Sequence, residues 1–124
     1  MVKTAAPSQA GFACVVTTER FKCAFITHGE AYSYGKVEEM KRHNATEEVF
    51  VLLSGKATLL TLEGECFEET PLMPGAAYCV CPGTWHHLAV SPDAMLFVTE
   101  NSDTDKTNTD VKKLDPPYWY KERE

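Results

Sequence analysis

Several features that would point to particular functions are missing from this chain of 124 residues. No apolar run approaches the roughly 18 residues of a membrane-spanning helix, and no charged stretch followed by an apolar one opens the sequence. No membrane association is therefore expected, and a soluble, cytoplasmic protein is. Positive charge is scarce, with twelve Lys and Arg against eighteen Asp and Glu, a net charge of -6, and no basic block. That balance speaks against nucleic acid as a partner, since a phosphate-backbone binder concentrates Lys and Arg. No phosphate loop or dinucleotide fingerprint occurs. Before Asn101, no segment of about ten residues keeps a clean 3.6-residue apolar period, which leaves little room for amphipathic helices. The five cysteines (14, 23, 66, 79 and 81) are odd in number and form no second C-x-C pair to complete a zinc site. Reduced, buried thiols are the expectation.

What the chain does have is a succession of short, strand-forming segments punctuated by glycine and proline. "GFACVVTT", "RFKCAFIT" and "AYSYGKVEEM" come first, the last weakened by Gly35. Residues 48–53 and 56–62 form a hairpin around Ser54 and Gly55, and further strands follow at "CFEET", 77–81, 86–90 and 94–99. Many short strands without intervening helices predict one all-β domain, a barrel or double-sheet roll. Residues 1–11 read as a loose arm and residues 12–100 as the barrel. Within residues 101–124, the stretch 101–110 is polar and reads as a linker. The aromatic segment "LDPPYWYKERE" is expected to pack on the barrel or on a partner in a homodimer.

Chemistry concentrates on two loops. In an extended segment Lys41 and His43 share a face, and Glu48 opens the next strand in phase with Phe50 and Leu52. Glu47 falls on the opposite phase. Downstream, "CPGTWHHLAV" places His86 at the start of a strand, with His87 facing the other way. Two imidazoles and one carboxylate from separate places form a three-point metal site with open positions, unless each is an ordinary polar group at a barrel rim.

Gly35, Lys41, His43, Glu48 and Gly55 resemble the first motif of the cupin superfamily: a glycine, an H-x-H pair, a glutamate and a hairpin glycine. Gly75, Cys81, Pro82, Gly83 and His86 resemble the second, with Cys81 at a position normally held by proline and Val90 where asparagine is usual. The resemblance covers residues 35–90, about half of the chain. It implies a double-stranded β-helix, or jelly-roll, barrel with a metal held by His43, Glu48 and His86 inside one end. The metal would be a divalent transition ion, with Fe, Mn, Ni and Zn not distinguishable from the sequence. Cupins include isomerases, epimerases, lyases, dioxygenases and sugar binders, so the family implies a small polar acid or sugar derivative as ligand without fixing a reaction.

The first of the family's three histidines is Lys41 here, and three arrangements follow from the exchange. Lys41 stands beside the metal and steadies a substrate carboxylate or enolate, or acts as a base. Alternatively, no metal binds and Lys41 pairs with Glu48 in a pocket for a small polar or anionic molecule, with a sensor or binding role. In the third arrangement Lys41 reaches out to solvent and water takes its place. Tyr34 is a candidate to supply a phenol at the same mouth, while Tyr32 and Tyr78 are expected to fill the barrel and Trp85 to cap its rim.

Overall fold

In the computed structural model, which describes residues 1–122, alternating apolar patterns become ten strands. They are β1 (Phe12–Thr17), β2 (Phe21–Thr27), β3 (Lys36–His43), β4 (Glu48–Ser54), β5 (Ala57–Glu63), β6 (Cys66–Pro71), β7 (Ala77–Val80), β8 (Trp85–Val90), β9 (Met95–Asn101) and β10 (Thr109–Trp119). A 3-10 turn at Glu30–Tyr32 separates β2 from β3. The tyrosine-rich segment thus divides at Gly35, whose φ of +127° suits glycine, and only its second half is strand.

Two five-stranded antiparallel sheets result, ordered β1-β2-β9-β4-β7 and β10-β3-β8-β5-β6. The all-β jelly-roll architecture expected from the sequence is the one observed. Period-two alternation sorts the apolar side chains into two cores. Ile26, Phe50, Leu52, Leu59, Leu88, Leu96 and Val98 fill the space between the sheets. On β5 and β8 the intervening residues Leu60, Leu62 and Ala89 face the other way and form a second core with Met40, Leu114 and Tyr120.

That second core involves a segment with no strand signal in the sequence. Where a polar linker was expected, Asn101 still belongs to β9, and the following turn docks through a buried 2.8 Å hydrogen bond between the hydroxyls of Thr46 and Thr104. β10 then pairs with β3 from Thr109↔His43 to Lys113↔Glu39 and again at Tyr118↔Val37. Pro116 and Pro117 fall in the interruption of the ladder on an edge strand, so neither removes a needed donor. Tyr120 is fully buried, Tyr118 stacks on Phe67 at 4.5 Å, and Trp119 stays exposed. Residues 123 and 124 lie outside the described residues.

Two further expectations need correction. All five cysteines are free thiols, but Cys14, Cys66, Cys79 and Cys81 are exposed and Cys23 is only half-buried. Cys79 takes the outward phase of β7 at a sheet edge, Cys81 follows the end of that strand, and Tyr78 and Val80 take the inward phase. Trp85 does not cap the barrel rim either. It lies on the outer face of the second sheet, with the guanidinium of Arg42 4.4 Å from its ring centre.

Candidate functional site

The barrel brings three of the five candidate residues together. β3 ends on His43, β4 begins on Glu48 and β8 has His86 as its second residue, so the two sheets converge at one end of the barrel. Lys41 pairs in register with His86, and Glu48 pairs with Glu100 on β9 and with Val80 on β7. The Nε2 atoms of His43 and His86 both face one oxygen of Glu48, Oε1, at 3.4 and 3.2 Å. One potential ligand atom from each residue lies within 4.8 Å of the others. All three side chains are largely buried, and the imidazole centres are 5.3 Å apart.

Each ring is held from behind. His86 Nδ1 lies 2.9 Å from the Thr84 carbonyl, which can only accept, so this nitrogen carries a proton. His43 Nδ1 lies 2.9 Å from the Thr109 hydroxyl, which can act in either direction. Burial opposes ionisation of Glu48, but hydrogen bonds from His43 and His86 outweigh it and hold its carboxyl at about 2. The same contact with Glu48 raises the pKa of His43. Glu48 is therefore a carboxylate at neutral pH, set against two nitrogens.

A cavity of about 570 Å³ opens above the triad, a volume typical of small-molecule sites. Its walls include Phe12, Ile26, Phe50 and Leu88, together with Tyr32, Lys41 and Glu100. Lys41 is exposed on this wall. Among the described residues, the ion-pair partners of Glu48 are the two histidines and not Lys41, which corrects the Lys41–Glu48 pair of the alternative arrangement. The reason is access: the carboxylate is buried against the two imidazoles, whereas Lys41 is exposed.

Tyr34 is also displaced from its expected place. Its hydroxyl bonds Thr58 at 2.6 Å, and its ring packs edge-on against Tyr120 at 5.4 Å beside the second core, away from the cavity. Tyr32 packs against the barrel core as expected and also lines the cavity. Burial, followed by the charges of Glu48 and Glu100, pushes its phenol up to about 12. Tyr78 fills the barrel as expected, with its hydroxyl accepting from the Met73 amide. His87 faces away from His86, as the strand phase requires, and bonds Tyr120 and the Ala31 carbonyl.

Glu100, Thr84 and Thr109 were not singled out from the sequence. Glu100 could have been, because it continues the inward phase of Leu96 and Val98, where an acid is out of place. Its side chain is buried, with Lys22 Nζ 3.5 Å from one oxygen and the other oxygen without a hydrogen-bond partner among the described residues. Burial and the adjacent Glu48 push its carboxyl up to about 7. Thr109 had no detectable signal in its polar stretch.

A family model described as a cupin domain matches residues 30–99. No curated protein matches the chain. Among solved structures it is similar to Streptomyces PAC13 with uridine, at 12% identity and a TM-score of 0.65, over 92% of this chain and 93% of that one. Another structure describes Pac13 as a nucleoside dehydratase. An uncharacterised double-stranded β-helix protein from Klebsiella pneumoniae is 17% identical, with a TM-score of 0.61, over 89% and 91% of the two chains. The 3,4-ketoisomerase QdtA from Thermoanaerobacterium thermosaccharolyticum, in complex with TDP-4-keto-6-deoxyglucose, is 16% identical with a TM-score of 0.59, over 71% and 63%. At these identities the structures establish likeness of fold.

Proposed function

The chain belongs to the cupin family, and we propose that it is a small metal-dependent cupin acting on a small polar acid or sugar derivative. His43, Glu48 and His86 would hold a divalent transition ion. The observation that carries this reading is the pair of Nε2 atoms, 3.4 and 3.2 Å from a single buried carboxylate oxygen at the base of a cavity. The donor set fits an ion. Because His86 Nδ1 already carries a proton toward Thr84, a neutral His86 turns the Nε2 lone pair on Glu48 Oε1, where two acceptors repel. A positive charge resolves the contact, whether as a second proton on the ring or as a metal between the groups. Thr84 and Thr109 hold the rings from behind, as outer partners of metal-ligating histidines do.

Two nitrogens and one carboxylate suit Fe, Mn, Ni or Zn. Such an ion, when bound, supplies Lewis-acid polarisation of a ligand oxygen. Lys41, on the cavity wall, would steady a ligand carboxylate or enolate, and Tyr32 rather than Tyr34 would offer a phenol there. Isomerising a keto sugar, or removing water from a hydroxylated ring, requires proton transfer at carbon and oxygen, and the side chains in the cavity include groups able to do both. Similarity to a nucleoside dehydratase and to a ketoisomerase supports sugar-derived ligands.

Elemental analysis of protein produced in metal-replete medium tests the proposal. About one equivalent of a transition metal is expected, lost on His86→Ala. Protein that stays empty after metal-replete preparation would overturn it. The cavity would then belong to a metal-free binding protein.

A further inference from the structure

We propose that the cavity selects hydroxylated rings bearing no more than one negative charge and rejects phosphorylated ligands. The inference rests on the reading of this cavity as the ligand site, and concerns its rim. Glu30 from the 3-10 turn and Lys36, Glu38, Glu39 and Lys41 from β3 line the cavity, and all five are exposed. Lys36 Nζ sits 3.0 Å from Glu38 Oε1, so those two charges offset each other. Glu30 and Glu39 then remain against Lys41, which has no ion-pair partner among the described residues. Below them the Glu48 carboxylate is balanced by the two imidazoles, and the buried Glu100 lies against Lys22.

An approaching ligand thus meets a negative rim on which, among the described residues, Lys41 is the available cation, before it reaches the proposed metal at the cavity base. One carboxylate can be matched by Lys41. A phosphate monoester, carrying about 1.5 to 2 charges, cannot be matched without approaching Glu30 or Glu39. None of the described lining residues is arginine, the residue suited to two-point phosphate recognition. The same carboxylates accept hydrogen bonds from ligand hydroxyls, so the groups that repel phosphate favour a polyol. Phe12, Ile26, Phe50 and Leu88 provide an apolar wall for the face of a ring. A nucleotide sugar, the ligand in the QdtA structure, is therefore a poor fit for this cavity.

Isothermal titration at low ionic strength would compare uridine with uridine monophosphate, and glucose and glucuronate with glucose phosphate. Each phosphate is expected to weaken binding by about tenfold or more. The gap should narrow in high salt, which screens the exposed rim. Glu39→Lys should shift the preference toward the phosphorylated member of each pair. The inference is overturned if phosphorylated ligands bind wild-type protein as tightly as their parents. It is equally overturned if no unphosphorylated compound binds below roughly 10 mM. Metal content of the same samples separates the two readings. Metal-free protein that still discriminates removes only the metal, whereas metal-loaded protein indifferent to phosphate removes only the present inference.

Discussion

Gly55 closes the turn between β4 and β5, and replacing it tests how rigidly the two hairpins of the barrel meet. Its φ is +76°, and a Cβ at this position would lie 2.5 Å from Ala94 Cα, 2.7 Å from Ala94 N and 2.9 Å from Ser91 Oγ. The first two contacts are backbone and cannot rotate away. They belong to a turn fixed from both sides: Ser91 N donates to the Lys56 carbonyl at 2.8 Å, and Lys56 N donates to Ser91 Oγ at 2.9 Å. Gly64 is the control. Its φ of +63° is similar, yet nothing lies within 4 Å of a Cβ built there.

Gly64→Ala therefore carries only the left-handed backbone penalty, roughly 1 to 2 kcal/mol. About 0.4 to 1 kcal/mol of this is offset because alanine restricts the unfolded chain. Gly55→Ala adds overpacking against immobile atoms, typically about 1 to 3 kcal/mol. The expected losses are about 1 kcal/mol at residue 64 and about 3 kcal/mol at residue 55. For a domain of this size each kcal/mol moves Tm by roughly 4 °C, so calorimetry should separate the variants by about 8 °C. Metal content should not change, because this turn lies at the end of β4 opposite Glu48. Equal losses in the two variants would refute the argument, since they would mean that the turn at Ala94 yields freely.

Four further outcomes can be measured. Chelation of metal-loaded protein should lower Tm by roughly 10 °C when metal stood about 100-fold above its dissociation constant, and Glu48→Gln should show no chelator-sensitive shift. Tyr34→Phe should lose about 1 kcal/mol in urea denaturation, because it abandons the buried Thr58 hydroxyl, while keeping ligand affinity. Tyr32→Phe should do the reverse, weakening ligand binding about three- to tenfold in titration calorimetry. His87 is partly buried, and burial holds its pKa down to about 4, below the unfolded value near 6.5. Its neutral form therefore contributes full stability above about pH 6.5, lost as pH falls toward 4, by at most about 3 kcal/mol. Thermal melts across that window should show a shallower slope for His87→Asn.

The sequence exposed the triad because strand phase is a strong constraint. Glu48 with Phe50 and Leu52, and His86 with Leu88 and Val90, could reach the barrel interior only together, and the structure has all six inside. The same rule sent His87 outward. It failed for Tyr34, which lies on a loop after the 3-10 turn, where a spacing of two carries no information about faces. It failed for β10 because strand propensity is weak in "TDVKKLDPP", and the pairing partner β3 is distant in sequence. Only tertiary pairing makes a strand of it, and with it comes Thr109, the support behind His43.

Consecutive histidines on β8 connect the two cores to the cavity. His87 Nε2 faces the Ala31 carbonyl at 3.2 Å and so donates, which leaves Nδ1 to accept from the Tyr120 hydroxyl at 2.8 Å. Tyr120 also donates its amide to the Gly35 carbonyl at 2.9 Å. Both acceptors flank the short segment that carries Tyr32, with Glu30 beside it, to the cavity wall. Nothing in that segment's own sequence dictates a cavity position, because a three-residue 3-10 turn has few internal bonds to hold its shape. Its placement is imposed from the opposite face of the sheet, through an imidazole adjacent to a member of the triad. Tyr120 lies outside the cavity, but through His87 and Gly35 it orders a wall that ligand would touch.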